Sequence, residues 1–175
     1  MATTLRPPRP GADGGKDRLQ PALLDRLTDD APLAESERAE AVFVTESRLR
    51  NALLRDLGWL LNANNARGLI DFDGLPYAER SVLNYGLPPL SGQLLSELDW
   101  PGVETGIRRA IIDFEPRILA DSLQVTLVTA TDMLAQHNTL QFEIRCQFWS
   151  MPYPIEMLLK SSLDLESGQV ALQPA

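Results

Sequence analysis

Two charged residues flank a proline in the middle of the chain, and they are the first candidates for chemistry. The stretch from Ile107 to Arg117 reads IRRAIIDFEPR and ends in Glu115, Pro116 and Arg117. A glutamate acts as a general acid when its pKa is raised. In an extended segment, however, Arg117 lies on the same side as Glu115 and lowers the pKa of that carboxyl. The pattern therefore favours an ion pair, serving either the fold or a partner, over an acid catalyst.

The remaining chemical side chains do not form a recognisable motif. The chain has one histidine, His137, in a polar stretch, and one cysteine, Cys146, at an inward strand position. A Cys-His nucleophile or metal site would rest on those two alone, and a single cysteine excludes an intrachain disulfide. There is no phosphate-binding glycine loop or dinucleotide fingerprint, so no cofactor is expected. The 24 carboxylates leave a peptidoglycan hydrolase as the alternative, with Glu115 as its acid.

The Glu-Pro-Arg corner must be positioned by the helix that precedes it. Pro101 suits the first turn of that helix. Its apolar stripe recurs at helical spacing: Val103, Ile107, Ala110, Ile111 and Phe114. Two i,i+4 ion pairs are predicted on its wet side: Glu104 with Arg108, and Arg109 with Asp113. Pro116 disfavours the helical conformation at Glu115, so the helix ends there and the chain is expected to become extended.

After the corner, the apolar period changes from helical to two. The inward positions are Leu123, Val125 and Leu127; then Leu140, Phe142, Ile144, Cys146 and Phe148; then Ile155, Met157, Leu159, Leu163 and Leu165. Such alternation indicates strands with one buried and one wet face. The links are short, and Ser167-Gly168 is predicted as a two-residue hairpin into a last strand. We expect an α+β fold, with amphipathic helices on one face of a three- to four-stranded antiparallel meander.

Before the corner, another helix is predicted from Glu46 to Asn62, with Thr45 as its N-cap. Leucines form its core-facing stripe: Leu49, Leu53, Leu54, Leu57, Leu60 and Leu61. The opposite face is interpreted as solvated: Arg48, Arg50, Arg55 and Asp56. Between the two helices lies RSVLNYGLPPLSG, where Gly86 is predicted to adopt a positive φ. In that stretch Asn84 is expected to bond local backbone, and three core residues are predicted: Leu83, Tyr85 and Leu87.

The ends and the charge of the chain set its class. We expect a disordered proline-rich arm over 1–20, a short docking helix and linker over 21–40, and one α+β domain over 41–175. Ser91 could cap a short helix over 93–98. The net charge of -8 argues against nucleic acid and anionic membrane as partners. No secretory signal or membrane-spanning stretch is recognised, which favours the cytosol.

Three segments in this order resemble a known family: LLDRLTDD, RSVLNYGLPPLSG and IRRAIIDFEPRI, followed by the strand meander. The family is TssE, a subunit of the bacterial type VI secretion baseplate, related to wedge and sheath-initiator proteins of contractile-tailed phages. The resemblance covers about Pro21 to the C-terminus. Its most specific parts are the LNYG turn and the Glu-Pro-Arg corner.

The resemblance implies a non-catalytic assembly protein, although relatives have been labelled lysozyme-like. It implies a hetero-oligomeric wedge with TssF and TssG, near TssK, that starts polymerisation of the TssB/TssC sheath on the cytoplasmic side of the inner membrane. It also implies partner-binding residues: Glu115, Pro116 and Arg117 at the corner, and Asn84, Tyr85 and Gly86 at the turn. An exposed strand edge could receive a strand from the sheath. On the solvent-facing side of the sheet, Trp149 and Leu158 are expected to be covered by the N-terminal segment, with contact to a partner as the alternative.

Overall fold

The computed structural model of the chain describes residues 21–28, 33, 45–92, 99–128, 139–150 and 152–175. Four predictions therefore lie outside the described residues: the disordered arm over 1–20, most of the linker, the short helix over 93–98 and the loop that holds His137.

Helix α1 spans Leu23–Leu27 and α2 spans Glu46–Asn62. The predicted bounds and cap of α2 are confirmed, since the Thr45 side chain accepts a hydrogen bond from the Arg48 N–H at 3.3 Å. This bond satisfies one of the donors left free at the start of a helix. The buried face of α2 matches its leucine stripe: Leu49, Ala52, Leu53, Leu57, Leu60 and Leu61.

Helix α3 spans Pro76–Glu79 and α4 spans Trp100–Phe114, with Pro101 in the first turn of α4. Four of the five residues of the predicted α4 stripe are buried, and Phe114 is partly buried. Of the two predicted ion pairs, only Arg109 with Asp113 occurs among the described residues. The Glu104 carboxylate instead accepts the N–H of Leu127 at 2.8 Å, so this side chain binds the following strand.

Four antiparallel strands follow in the order β1-β2-β3-β4: Gln124–Val128, Thr139–Phe148, Ile155–Asp164 and Val170–Pro174. Helix α4 packs against β1 and α2 packs against β4, so both helices cover one face of the sheet. The predicted α+β meander is confirmed. Ser161, which breaks the apolar alternation, is buried, and Leu158 is partly buried on the opposite face.

The link between β3 and β4 differs from the prediction of a two-residue hairpin. The Gly168 N–H donates to the Asp164 carbonyl at 2.7 Å, and the Asp164 side chain accepts from the Glu166 N–H at 2.8 Å. Gly168 has φ +73° and returns the chain to β4. The loop is therefore longer, because an aspartate that bonds the following backbone builds its own turn.

Polar contacts hold α1 on α2. Asp25 of α1 forms an ion pair with Arg55, while the side chains of Leu23 and Leu27 are exposed. Trp149 is also exposed, so the described residues 21–28 of the N-terminal segment do not cover it, and residues 1–20 lie outside the described part of the chain. Within the described stretches, every helix is too short or too polar to cross a bilayer.

Candidate functional site

The Glu-Pro-Arg corner begins where the hydrogen-bond pattern of α4 ends. The Glu115 N–H makes the last helical bond, to the Ile111 carbonyl at 2.8 Å, and Glu115 itself leaves the helical region at φ -121°, ψ 80°. The chain then turns rather than becoming extended as predicted, since the Ile118 N–H donates back to the Glu115 carbonyl at 3.2 Å. Ile118 pairs with Phe148 of β2, which fixes the corner to the sheet.

Glu115 and Arg117 bind each other, as the spacing suggested. The Glu115 carboxylate accepts three hydrogen bonds from Arg117: from the backbone N–H at 3.2 Å, from Nε at 2.7 Å and from Nη2 at 2.5 Å. Glu115 is only 5% exposed. A buried carboxylate needs such partners because an unpaired buried charge is strongly unfavourable. The pair thus keeps the corner in one shape.

A third residue, Asp56 of α2, completes the corner. Its Oδ2 accepts from Arg117 Nη2 at 2.6 Å, and its Oδ1 accepts from Arg55 Nε at 2.9 Å. With the Asp25–Arg55 pair, five side chains form a continuous row of alternating charge. We call this row the corner network: Asp25, Arg55, Asp56, Arg117 and Glu115.

The corner network corrects the interpretation of the polar face of α2 as simply solvated. Arg55 and Asp56 are partly buried, because they face α1 and the corner. The sequence carries a weak signal for this: an acidic residue directly precedes the fully buried Leu57, at the border of the apolar stripe. Helical spacing alone does not predict that Asp56 pairs with Arg117, which lies 61 positions later in the chain.

The electrostatics of the corner follow from burial and these pairings. Burial lowers the pKa of Arg117, but hydrogen bonds and the charges of Glu115 and Asp56 outweigh it, so the net pKa is raised. The pKa of Arg55 is raised by its hydrogen bonds to Asp25 and Asp56. Both guanidinium groups therefore keep their charge at any pH at which the protein is folded.

Burial and the negative charges of the corner network raise the pKa of two neighbouring groups. The pKa of the Tyr85 hydroxyl is raised by burial and, secondarily, by the charges of Asp56 and Glu115. Burial first and the Glu115 charge second raise the pKa of the Cys146 thiol to about 11. Cys146 therefore stays a neutral thiol near pH 7, which is unsuited to nucleophilic attack because the thiolate is the reactive form.

The LNYG turn lies next to the corner and is stabilised by the hydrogen bonds of a buried side chain. Asn84 is 4% exposed; its side chain accepts from the Ala66 N–H at 3.1 Å and donates to the Glu79 carbonyl at 2.8 Å. The predicted bonding to local backbone is confirmed for Glu79, five residues away, whereas Ala66 lies 18 residues away. Gly86 has the predicted positive φ, +114°, and passes directly against Ala63 at the end of α2.

Tyr85 joins the turn to the corner. Its ring packs edge-on against Phe114, the residue before Glu115, with the centroids 5.2 Å apart. Leu87 is buried and Tyr85 partly buried, as predicted, but the prediction that Leu83 belongs to the core is wrong, because it is 78% exposed. The reason is that Leu83 lies on a 3-10 turn over Val82–Asn84, which directs Asn84 inward and leaves Val82 and Leu83 exposed.

The two motifs thus form one structural unit, and most of it is internal. Of the six predicted partner-binding residues, three are buried: Asn84, Gly86 and Glu115. Pro116 is exposed, and Tyr85 and Arg117 are partly exposed. A partner that binds this site would contact Pro116 and the exposed part of Arg117. The buried members would act indirectly, by fixing the shape of the surface that the partner contacts.

The corner has neither a metal-binding cluster nor an open space between its carboxylates. Among the described residues, no group of three or more His, Cys, Asp and Glu side chains is placed to hold a metal ion. The guanidinium of Arg117 fills the space between the carboxylates of Glu115 and Asp56. A glycosidase needs that space for the sugar and water. Two buried guanidinium nitrogens, Nη2 of Arg55 and Nη1 of Arg117, have no hydrogen-bond partner in the described part of the chain.

Comparison with known proteins identifies a family for this arrangement. A family model described as "Baseplate wedge protein gp25" matches residues 47–153, which is more than half of the 175-residue chain. The matched range contains α4, β1 and β2, together with the LNYG turn and the Glu-Pro-Arg corner. No curated protein and no solved structure gives a significant match.

Proposed function

Since the chain belongs to the baseplate wedge protein gp25 family, which includes TssE, we propose that it is the TssE-type subunit of a type VI secretion baseplate. In this role it joins a cytoplasmic wedge with TssF and TssG, near TssK, and provides the surface on which the TssB/TssC sheath starts. The family match supports a structural baseplate component. The finer assignment rests on the geometry of the corner and of the sheet.

The observation that carries the docking role is the shape of the corner. Arg117 is held by carboxylates from two different elements, so the turn has little freedom to move. This places Pro116 at the surface in a fixed position. A preorganised surface binds more tightly, because less conformational entropy is lost on association.

The sheet supports the proposed contact with the sheath. Its order leaves β1 and β4 as edges, which can accept an added strand. On β1, Glu104 already accepts the outward N–H of Leu127. On β4, Asn62 accepts the N–H of Val170, the first residue, at 2.8 Å. By alternation Val125 on β1 and Leu172 on β4 also face outward, whereas Pro174, at the next outward position of β4, has no N–H to donate. Each edge therefore leaves one outward N–H for an added strand.

A non-enzymatic role is part of the proposal. The carboxylate of Glu115 receives three donors from Arg117 and has no room to protonate a substrate. At the corner, the hydrolase alternative therefore lacks both an available acid and a space between the two carboxylates of Glu115 and Asp56.

Substitution at the corner tests the docking role. Arg117→Lys keeps the charge but loses the planar fork that binds two carboxylates, and Pro116→Ala removes the exposed ring. We expect each full-length variant to remain folded and to co-purify with TssF and TssG about tenfold less efficiently than the unchanged chain. The matched control is Arg145→Lys, at an exposed arginine on β2.

Folding is checked in each variant by circular dichroism before co-purification is compared. Normal recovery of TssF and TssG with both corner variants would reject the docking role. An equal loss in the Arg145→Lys control would also reject it, because the effect would then not be specific to the corner.

A further inference from the structure

A set of exposed apolar side chains lies on the segment between α2 and α4, outside the corner, and ends at Leu83, the first residue of the LNYG turn. We call it the apolar platform; its members are Leu69, Ile70, Leu75, Tyr77, Val82 and Leu83. All six are more than half exposed, and Tyr77 is 92% exposed. Single exposed apolar residues are ordinary, but six within fifteen positions make this segment a candidate interaction surface.

The platform is held rigidly by ion pairs beneath it. Glu79, at the end of α3, pairs with Arg67 and, at 2.9 Å, with Arg109 of α4. The next residue, Arg80, pairs with Asp113 of α4 at 2.8 Å. The short helix that carries Tyr77 is thus bound to α4 at its C-terminal end.

Backbone contacts fix the two ends of the same segment. The Asn65 N–H donates to the Leu87 carbonyl, and the Leu87 N–H donates to the Ala63 carbonyl, both at 2.8 Å. Between them, the buried Asn84 side chain binds Ala66 and Glu79. The exposed apolar side chains therefore stand on a fixed base, which is how a binding surface avoids an ordering cost.

The charge beside the platform is negative. A surface groove of about 620 Å³ runs along residues 67–74 and reaches Pro76 and Glu79. Arg67 is already paired with Glu79, whereas Asp71 and Asp73 have no ion pair in the described part of the chain. The groove thus presents two uncompensated carboxylates next to the apolar side chains.

These features select the kind of partner. Residues 66–85 consist of short helical turns and loops, so they offer no strand edge for an added strand. An apolar surface of this type binds an amphipathic helix through apolar residues at i, i+3 and i+4. Asp71 and Asp73 favour lysine or arginine beside that apolar face. A second copy of this acidic chain would instead bring like charges together.

We infer that the apolar platform binds an amphipathic helix with a basic flank from another subunit of the same assembly. The inference rests on the proposed function for the identity of the assembly, but the chemistry of the surface is independent of it. The platform and the corner lie on different segments, so one subunit would meet its wedge at two places.

Photo-crosslinking in cells tests the inference on the full-length chain. Tyr77 is replaced by p-benzoylphenylalanine, and the crosslinked peptide is identified by mass spectrometry. The matched control carries the same group at Tyr153, an isolated tyrosine that is 78% exposed in the link between β2 and β3. We expect adducts from position 77 to a segment of another baseplate subunit that has helical apolar spacing and an excess of lysine and arginine. In an Asp71→Lys, Asp73→Lys background we expect roughly tenfold fewer adducts.

The outcomes separate the inference from the proposed function. No adduct at position 77 above the position 153 control, or an adduct to residues 1–20 of the same chain or to a second copy, would overturn the inference. Unchanged adducts after the charge reversal would also overturn it. If wedge subunits still co-purify in those cases, the proposed function stands without it. A basic amphipathic helix captured only from a protein outside any baseplate would also overturn the inference, because the inferred partner is another subunit of the same assembly.

Discussion

Arg117 binds two carboxylates from different parts of the chain. Glu115 lies two residues away, whereas Asp56 comes from the polar face of α2. The spacing in the sequence predicted the first partner, because alternate residues reach the same side of a short segment. It did not predict the second, since a contact between distant positions depends on how α2 and α4 pack.

Removing the second carboxylate should weaken the fold measurably. In Asp56→Asn, Arg117 and Arg55 each lose an ionic partner in a partly buried place. We expect the free energy of unfolding to fall by about 1–2 kcal/mol, between the values for surface and buried ion pairs. Urea denaturation measures this change.

The control for this measurement is Glu46→Gln, which removes the exposed Glu46–Arg50 pair at the start of α2. That change should cost at most about 0.5 kcal/mol. Equal effects of the two substitutions would show that Asp56 contributes no more than a surface charge, and the corner network would lose its stabilising role.

At the scale of elements, the apolar periodicity predicts most of the helices and strands. The types of individual side chains predict the irregular segment between α2 and α4 less well. Helix α2 and the strands β2 and β3 have long, regular apolar patterns, and a buried face determines such patterns directly. The region between α2 and α4 has no period. There the apolar character of Leu83 predicts a core position, but the side-chain hydrogen bonds of Asn84 decide which residue points inward.

A substitution at Gly86 tests how closely the backbone is packed in that region. A Cβ at this position would lie 2.6 Å from the Ala63 carbonyl carbon, and its φ is +114°. Gly86→Ala should therefore combine a strained backbone with a clash and cost at least about 2 kcal/mol. Thermal or urea unfolding of the purified variant measures the loss.

Gly74→Ala is the matched control, because Gly74 also has a positive φ, +78°, but open space around it. It should show the backbone cost alone, about 1 kcal/mol. If Gly86→Ala is no worse than Gly74→Ala, the close approach to Ala63 does not constrain the turn.

At the scale of the whole molecule, the single cysteine reports on the core. Cys146 lies on the inward face of β2, is 4% exposed and pairs in register with Met157 of β3. The alternation predicted this inward position, and burial explains why its pKa rises to about 11. A thiol in this place can react only when the sheet and the helices that cover it separate.

The raised pKa gives a stability change with a definite sign. Between the ordinary value of 9.0 and about 11 the unfolded thiol is ionised while the folded thiol keeps its proton. The unfolded state then binds fewer protons, so stability falls as the pH rises through this window. We expect urea unfolding to show a smaller loss from pH 8.5 to about pH 10.5 in Cys146→Ala than in the unchanged chain. Identical losses in the two proteins would contradict the assignment.

The row of five charges also makes the potential at the corner depend on α1. Three carboxylates and two guanidinium groups leave one net negative charge when Asp25 is in place. If α1 leaves its position, the remaining four charges cancel and Arg55 is freed from Asp25. A binding event that captures the exposed leucines of α1 would thus change the electrostatic field that a second partner meets beside Pro116.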